Sequence, residues 1–337
     1  MVCFARPGTS GGGLFIVLSG FCLMLPVISA QYILPGGALH FYWRRAQRIL
    51  PPYFAAMGLT LLLIWILIGK KTGAHWDVSL PVRVRDIFTH MFLVHDLWTD
   101  TAPRINHAFW SISVECRVYL FFPLLVILWK RTGALMTTFL ILIAAFLFTV
   151  GFRALHAYHP TLNTHSAGAC FHYLGMFGLG MFGAELAYTQ RKLASLRDSI
   201  PWGVSLLVLT FAVGGIVAFH PHIPFEAVDM LVGLWALCLL VKCSRIPADS
   251  TGHAWLRNMV AWQPLVFIGT FAYSIYLIHA PLLQVVWQEC LAPLNLSPVW
   301  ALLALTLIGS AAIVGLSYCF FLLCERPFIE KRVQRIT

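Results

Sequence analysis

Nine long apolar stretches run through this sequence, and they restrict the folds open to it more than any other feature. They cover residues 12–30, 52–69, 109–129, 134–150, 168–188, 202–219, 225–242, 264–283 and 297–322. An α-helix needs a stretch of about 17 to 25 residues to cross a bilayer. A membrane β-barrel would instead show short segments of alternating polarity. The pattern therefore predicts an all-α polytopic membrane protein with about nine transmembrane helices.

The composition agrees with this fold class. Only 11% of the 337 residues are charged, whereas roughly a quarter are charged in soluble domains. No periodic repeat, low-complexity tract or polar linker divides the chain. We therefore expect residues 1–337 to form a single membrane domain.

The lysines and arginines predict how the helices are oriented in the bilayer. Fifteen of the 23 fall in the connections on one side, and seven fall on the other. Because positive residues favour the cytoplasmic side, we place the N-terminus outside, the C-terminus in the cytoplasm and the long connection 70–108 outside. The net charge of +10 then reflects topology and attraction to anionic lipid headgroups. No nucleic-acid partner is predicted.

Polar residues crowd the start of the third stretch, in "HAFWSISVEC" (107–116). Residues four apart share one face of a helix, so we expect His107, Ser111 and Glu115 to form a stripe that Tyr119 continues. A carboxylate inside a membrane is costly and marks a functional site by default. The alternative is that Glu115 pairs with a buried arginine only to hold helices together.

A basic segment, "FYWRRAQRILPPY" (41–53), lies on the predicted cytoplasmic side. The spacing of Arg44, Arg45 and Arg48 forms a cationic helix face. Such a face can bind phosphates, or it can serve only as a positive-inside anchor. Pro51 and Pro52 predict that this helix stops and that the next span begins there.

Tyr273, Tyr276 and His279 lie three residues apart on one flank of the eighth stretch. An interfacial belt of aromatic residues explains them, and so does a sugar-binding or proton-shuttling site. Both interpretations stay open from the spacing.

Other histidines and glycines carry weaker signals. No fixed ligand spacing connects His90, His95, Asp96, His220 and His222, so we expect solvated loop histidines and no bound metal. In "FHYLGMFGLGMFGAEL" (171–186) the glycines Gly175, Gly178, Gly180 and Gly183 predict close helix packing.

Four motifs, taken in order, resemble those of acyltransferase family three, the integral-membrane enzymes that O-acylate bacterial surface carbohydrates. They are "LFIVLSGFCL" (14–23), "FYWRRAQRILPPY" (41–53), "FWSISVECRVYLFFPLL" (109–125) and "FIGTFAYSIYLIHAPL" (267–282). The segment "CERPF" (324–328) fits as well. In the family, a second acidic residue follows the glutamate of the third motif, whereas Cys116 stands there in this chain.

The resemblance implies a ten-helix enzyme of the bacterial inner membrane. It implies transfer of an acyl group, usually acetyl from acetyl-CoA, to a hydroxyl of a cell-surface carbohydrate or a lipid-linked carbohydrate such as a glycolipid. The resemblance implies three sets of site residues: catalytic Trp110, Ser111, Glu115 and His279, the donor-phosphate contacts Arg44, Arg45 and Arg48, and the substrate contacts Ser19, His107 and Tyr276.

One family feature has no counterpart in this sequence. The family's first helix carries an arginine and, eleven residues later, the histidine proposed as general base, but residues 1–30 contain no histidine. We therefore expect an N-terminally incomplete chain, either a fragment with a misassigned start or a variant that lacks its base. Glu115 would support such a histidine, with His279 or His107 as less favoured substitutes. A catalytically impaired pseudoenzyme and a membrane transporter are the alternatives.

Overall fold

The computed structural model describes residues 9–164, 168, 170–188, 193–219, 222–244 and 261–333. The chain divides into two compact units. The first unit comprises Met1–Phe41 and Val114–His253, and the second comprises Tyr42–Ser113 and Ala254–Thr337. The prediction of a single membrane domain stays a prediction, and each unit is described by itself.

The α-helices of the described residues are numbered in chain order. They are α1 (Thr9–Ser29), α2 (Gly37–Leu63), α3 (Val84–Met91), α4 (Trp110–Thr132), α5 (Ala134–Tyr158), α6 (His172–Tyr188), α7 (Ala194–Ser199), α8 (Trp202–Phe219), α9 (Phe225–Ser244), α10 (Gln263–Thr270), α11 (Ala272–Val285), α12 (Pro298–Ala304), α13 (Ser310–Phe320) and α14 (Arg326–Val333). Short 3₁₀ turns lie at His75–Ser79, His95–Leu97 and Ala292–Leu294, and π-helical turns lie at Ile64–Ile68, Val286–Leu291, Leu305–Gly309 and Phe321–Glu325.

Within the described ranges, seven helices are long and apolar enough to cross a membrane, or up to eight if one bent pair counts as a span. The seven are Gly12–Ser29, Gly37–Ile68, Trp110–Thr132, Ala134–Tyr158, Trp202–Phe219, Phe225–Ser244 and Pro298–Ile329. The predicted stretch 168–188 becomes α6, which at 17 residues is shorter than each of these seven helices. The protein is an all-α polytopic membrane protein, as the apolar stretches predict.

The prediction that a helix stops at Pro51 and Pro52 is wrong, because α2 runs through both prolines. A proline inside a helix lacks the N–H that would bond to the carbonyl four residues earlier. Membrane helices tolerate this loss where other groups supply hydrogen bonds near the interruption. In this turn the Tyr273 hydroxyl donates to the carbonyl of Ile49, 3.1 Å away. The basic segment and the span after it are therefore one helix.

The predicted span 264–283 is not one straight helix either. The helical segments on the two sides of Phe271 are bent by 75°, and Phe271 itself has φ −124° and ψ 22°. Its side chain is fully buried, and its ring centroid lies 5.4 Å from that of Phe267 and 5.3 Å from that of Tyr318. Aromatic packing in the second unit holds this bend, and the apolar pattern alone does not reveal it.

In the first unit, α1 and α6 approach each other through glycines. A Cβ added to Gly20 would overlap the carbonyl oxygen of Phe177, and one added to Gly180 would overlap the carbonyl oxygen of Val17. Backbones come this close only where small residues leave room. The other three glycines of the segment, Gly175, Gly178 and Gly183, contact side chains of neighbouring helices. The prediction that these glycines serve helix packing is confirmed.

In the second unit, the long connection 70–108 is folded onto helices. Trp76 is 3% exposed and forms a buried cluster with Ile68, Leu80 and Ala280. Its indole N–H donates to the carbonyl of Ile68 at 3.2 Å. The backbone N–H of Ile105 donates to the carbonyl of Ser79, also at 3.2 Å. This packing sets the positions of the histidines that the connection carries.

Candidate functional site

Glu115 is the centre of a small hydroxyl cluster in the first unit. The Ser19 hydroxyl of α1 donates to Glu115 Oε1 at 3.2 Å. The Tyr119 hydroxyl, one turn after Glu115 on α4, donates to the same oxygen and lies 3.2 Å from Ser19 Oγ. We call Ser19, Glu115 and Tyr119 the Glu115 cluster. The sequence places Tyr119 beside Glu115, and only the fold adds Ser19 to them.

Aromatic rings surround the Glu115 cluster. The Tyr119 ring is 6% exposed and packs edge-on against Phe41 and Phe177, with both centroid distances 6.3 Å. A carboxylate next to apolar rings is costly unless hydrogen bonds compensate it. Two hydroxyl donors from two helices provide that compensation, so the carboxylate is held in one orientation.

His107 does not lie on α4, which begins at Trp110. The predicted single stripe from His107 to Glu115 is therefore wrong at its first residue. The cause is Asn106, whose side-chain oxygen accepts the backbone N–H of Ala108 at 3.0 Å in a local turn that competes with helix. The Asn106 amide also donates to the carbonyl of Leu277 at 2.9 Å, which ties this turn to α11. Ser111 and Glu115 both belong to α4, as predicted.

Ser111 and Tyr276 are hydrogen-bonded in the second unit. The Tyr276 hydroxyl donates to the carbonyl of Ala108 at 2.5 Å, and Ser111 Oγ lies 2.6 Å from the same hydroxyl. A carbonyl can only accept, so the Tyr276 proton points to Ala108 and Ser111 donates to Tyr276. Trp110, between these groups in sequence, is 9% exposed. The arrangement holds the start of α4 against α11.

His279 follows one turn later on α11. Its Nδ1 lies 2.8 Å from the carbonyl of Tyr276. Because that carbonyl only accepts, Nδ1 carries a proton, and whenever the ring is neutral Nε2 is the nitrogen that can accept one. The structure thus brings Ser111, Tyr276 and His279 together, as the helical spacing of the last two predicts.

His107 packs against a second histidine and a serine of the folded connection. Its ring centroid is 4.7 Å from that of His75, and its Nδ1 is 3.4 Å from Ser79 Oγ. Burial, with smaller contributions from the nearby His75 and His279, lowers the pKa of His107 to about 4. His107 is therefore neutral at pH 7 and can accept a proton only weakly.

Burial of His107 and His90 predicts that acid destabilises the protein. Burial also lowers the pKa of His90 to about 4, whereas an unfolded histidine titrates near 6.5. Between these values the unfolded chain binds more protons, so the free energy of unfolding rises with pH from about 4 to about 6.5. Thermal unfolding in detergent across this range should show the slope, and the variant H107Q should flatten it. Parallel slopes in H107Q and the parent protein would contradict this origin.

The predicted solvated histidines of 70–108 are in fact buried, which corrects the sequence interpretation. The side chains of His90, His95 and Asp96 are fully inaccessible, and the rings of His90 and His95 stack at 3.7 Å. These side chains are buried because the connection folds onto the helices, and the spacing of residues in the sequence does not reveal that. His222 is exposed, and His220 lies outside the described residues. In the described part of the chain, no three His, Cys, Asp or Glu side chains converge as metal ligands.

The three arginines of the basic segment lie on α2 in the second unit. Arg48 is exposed, and Arg44 and Arg45 are half-buried. Arg48 is within electrostatic reach of Glu325, which also accepts the Ser274 hydroxyl at 2.5 Å. All three arginines thus lie on one helix, and a buried carboxylate from the "CERPF" segment is close enough to Arg48 to interact with it. Their role as donor contacts stays a prediction.

Sequence reasoning missed two further acidic residues of the first unit. Glu185 of α6 is 5% exposed and accepts the Tyr32 hydroxyl at 2.7 Å. Asp229 of α9 is 1% exposed and pairs with His172 at 3.1 Å. Both lie in apolar stretches, so the rule that singles out Glu115 would have found them as well.

Together these features define a polytopic membrane protein with oriented carboxylates and buried histidines in its helical units. The model of the acyltransferase domain family matches residues 10–321. The chain belongs to this family, as its four motifs suggest, and is an acyltransferase that transfers groups other than aminoacyl groups.

Two curated proteins are similar over almost the whole chain. Nodulation protein 10 of Rhizobium leguminosarum bv. viciae is 23% identical over 353 residues, which cover 99% of this chain and 84% of that protein. A candidate peptidoglycan O-acetyltransferase of Bacillus subtilis (strain 168), YrhL, is 23% identical over 349 residues, covering 96% of this chain but 51% of that protein. No solved structure matches the chain.

Proposed function

We propose that this protein transfers an acetyl group from acetyl-CoA to a hydroxyl of a carbohydrate at the surface of a bacterial cell. The observation that carries the proposal is the Glu115 cluster, an oriented carboxylate inside a family motif of an acyltransferase. The similarity to a candidate peptidoglycan O-acetyltransferase supports a carbohydrate acceptor. We further propose an inner-membrane location with the C-terminus in the cytoplasm, in line with the distribution of lysines and arginines.

The donor would bind at the cationic face of α2. Its phosphates require cations, and a guanidinium offers paired N–H donors that match phosphate oxygens. Arg48 is exposed, and Arg44 and Arg45 are partly so, so these guanidinium groups suit the phosphates of acetyl-CoA. When acetyl-CoA is bound, the acceptor hydroxyl oxygen would attack the thioester carbonyl carbon, the carbon–sulfur bond would break, and CoA would leave as the free thiol with the proton that the hydroxyl gives up.

The acceptor would lie near Tyr276 and His279. Tyr276 and Ser111 serve as positioning residues, because their hydroxyl protons are already committed to Ala108 and Tyr276. Ser19 plays a similar part beside Glu115, and Trp110 would help to shape the site. His107 contacts Ser79 and His75 in the same unit.

Acylation of a hydroxyl needs a proton acceptor and stabilisation of the charge that develops. In this proposal Glu115 supplies a fixed negative charge in the Glu115 cluster, which stabilises positive charge that develops beside it during the reaction. Among the motif residues we assign His279 as the proton acceptor, because a carbonyl fixes its tautomer, whereas burial weakens the basicity of His107.

The test is acetyl transfer by the full chain reconstituted in lipid vesicles. With acetyl-labelled acetyl-CoA and peptidoglycan fragments as acceptor, we expect alkali-labile labelled ester on the carbohydrate. The triple variant R44Q/R45Q/R48Q should raise the KM for acetyl-CoA by about tenfold or more, since each lost phosphate contact removes a charge-assisted bond. The matched control is K70Q/K71Q, which removes exposed lysines outside the cationic face.

Three outcomes would count against the proposal. Absence of labelled ester with every carbohydrate acceptor in a panel of polysaccharides and glycolipids would overturn the activity. An equal rise in KM for the lysine control would overturn the donor site. Uptake of a solute into the vesicles without any use of acetyl-CoA would indicate transport instead.

A further inference from the structure

Helix α3 buries polar side chains and exposes apolar ones, the reverse of a helix at the surface of a soluble protein. Asp86 and His90 are 2% and 0% exposed. The exposed apolar residues are Val84, Phe88, Met91 and Phe92, at 69%, 56%, 47% and 73%. Because they follow one another at helical spacings of three and four, they share one side of the helix, and we call them the α3 apolar face. Apolar side chains of this size are unfavourable in water, so the face favours a nonpolar environment.

Polar groups of α3 form their hydrogen bonds on the protein side. The Asp86 carboxylate accepts the backbone N–H of Arg83 at 2.8 Å, and the Asp86 carbonyl lies 2.7 Å from Nδ1 of His90. The carbonyl of His90 accepts the Tyr53 hydroxyl of α2 at 3.1 Å. A bilayer offers no hydrogen-bond partners, so backbone outside a spanning helix is tolerated there only where protein surrounds its polar groups. The bonded polar side of α3 therefore permits its other side to contact lipid.

The connection that carries α3 follows α2 over a long distance. The apolar stretch 52–69 and α2 belong to one helix that is long and apolar enough to span a membrane. Trp76 of the connection donates to the carbonyl of Ile68 at the end of this helix, whereas His90 is bonded to Tyr53, 15 residues earlier. Fifteen residues of helix measure about 22 Å, and the hydrocarbon of a bilayer is about 30 Å thick. The connection therefore extends along most of the apolar part of α2.

The start of α3 carries charges that suit lipid headgroups. Arg85 is paired with Asp100 at 2.8 Å, with 51% and 39% of their side chains exposed. The guanidinium carbon of Arg85 is 5.4 Å from the ring centroid of Trp98. Tryptophan and arginine are typical of the boundary between headgroups and hydrocarbon. Phe88 and Phe92 follow one and two turns later, so a charged end is succeeded by a face that suits acyl chains.

We propose that the α3 apolar face lies in the hydrocarbon of the bilayer, against phospholipid acyl chains, so that residues 70–108 form a re-entrant segment. A protein partner fits this face less well. A stable protein interface buries about 800 Å² on each side, and four side chains on a helix of 8 residues offer far less. The segment that carries His75, Ser79 and His107 is then held by lipid on one side and by helices on the other. This inference does not depend on the proposed function.

Photo-crosslinking of the full chain in vesicles of phosphatidylethanolamine and phosphatidylglycerol tests this placement. In the variant Phe92→p-benzoylphenylalanine, the benzophenone inserts into C–H bonds of whatever lies against the face. We expect covalent adducts with phospholipid acyl chains, identified by mass spectrometry after digestion. The matched control is Lys71→p-benzoylphenylalanine, at an exposed residue near the start of the same connection. It should form about fivefold fewer acyl-chain adducts or less, because a lysine near a helix end keeps its side-chain end at the aqueous interface.

Polar substitutions in the α3 apolar face give a second readout. The double variant F88S/F92S removes the apolar contact, whereas F88L/F92L retains it. Loss of the contact should release α3 by local unfolding, so trypsin should cleave after Arg83 and Arg85 about fivefold faster in F88S/F92S than in the parent protein. F88L/F92L should be cleaved at the parent rate. Mass spectrometry of the peptides released from the vesicles measures these rates.

Three results would overturn the proposal. Acyl-chain adducts no more frequent at Phe92 than at Lys71 would show that the face lies outside the hydrocarbon. A cross-link to a second copy, or to another segment of the same chain, in place of lipid would show that protein covers the face. If the photo-crosslinking variant does not fold, equal cleavage of F88S/F92S and F88L/F92L would overturn the proposal, and faster cleavage of F88S/F92S alone would support it. None of these readouts requires acetyl transfer, so the proposal and the proposed function can fail separately.

Discussion

Substituting Glu115 by glutamine should reduce acetyl transfer by about 100- to 1,000-fold while the protein stays folded. Glutamine keeps the shape of the side chain and can still accept the Ser19 and Tyr119 hydroxyls, so the packing of α1 against α4 should survive. What it loses is the negative charge. Removing one well-placed electrostatic contribution typically costs an enzyme about 10²- to 10³-fold in kcat.

Graded variants of the same cluster sharpen this expectation. S19A and Y119F each remove one donor and leave the charge and the other donor in place, so each should lower kcat by about tenfold, the value of about one hydrogen bond to a charged group. The matched control is E289Q, at an exposed glutamate of the second unit, which should leave kcat unchanged. Initial rates of labelled ester formation in vesicles measure all four variants. A folded E115Q protein with the parent rate would show that Glu115 only holds helices together.

The variant G180A should destabilise the protein by about 3 kcal/mol. A Cβ at Gly180 would overlap the carbonyl oxygen of Val17, and it would come within 2.9 Å of the backbone nitrogen of Phe21. These atoms belong to the backbone of α1, so relief requires α1 to move away from α6. Overpacking of a tight interior usually costs about 1 to 3 kcal/mol, and the rigidity of backbone neighbours places this site at the upper end.

The matched control for G180A is G214A. Gly214 is also a helical glycine, in α8, but a Cβ there meets nothing within 4 Å. Alanine favours helix over glycine by about 0.5 to 1 kcal/mol, so G214A should be neutral or slightly stabilising. Thermal unfolding in detergent, followed with a thiol-reactive dye, compares the two variants. Equal unfolding temperatures for G180A and the parent protein would contradict the close contact of α1 with α6.

Residues within one helical turn were predictable because local geometry alone brings them together. Glu115 and Tyr119 lie four apart on α4, and Tyr276 and His279 lie three apart on α11, as their spacing indicates. His107 shows the limit of that reasoning, since the side-chain bonds of Asn106 end the helical pattern before it reaches this histidine. The helical spacing of residues in a sequence does not show where a local turn replaces the helix.

Contacts between distant segments could not be predicted in this way. Ser19 reaches Glu115 across 96 residues, and the partner of His172 is 57 residues away. The burial of His90 and His95 could not be predicted either. In the sequence they lie in a polar connection, and only the folding of that connection buries them. The bend at Phe271 depends on rings from other helices for the same reason.

The sequence by itself determined the class of fold, the membrane environment, the family motifs and the glycines of the α1 and α6 contact. Hydrophobicity and residue size are local properties. A long apolar segment in a bilayer becomes a helix whatever the rest of the chain does, because its backbone groups must bond to each other. Only the tertiary structure decided which polar groups meet, which histidines are buried and which ring nitrogen is basic. Those properties depend on hydrogen bonds and exclusion of solvent, which exist only once distant helices have packed.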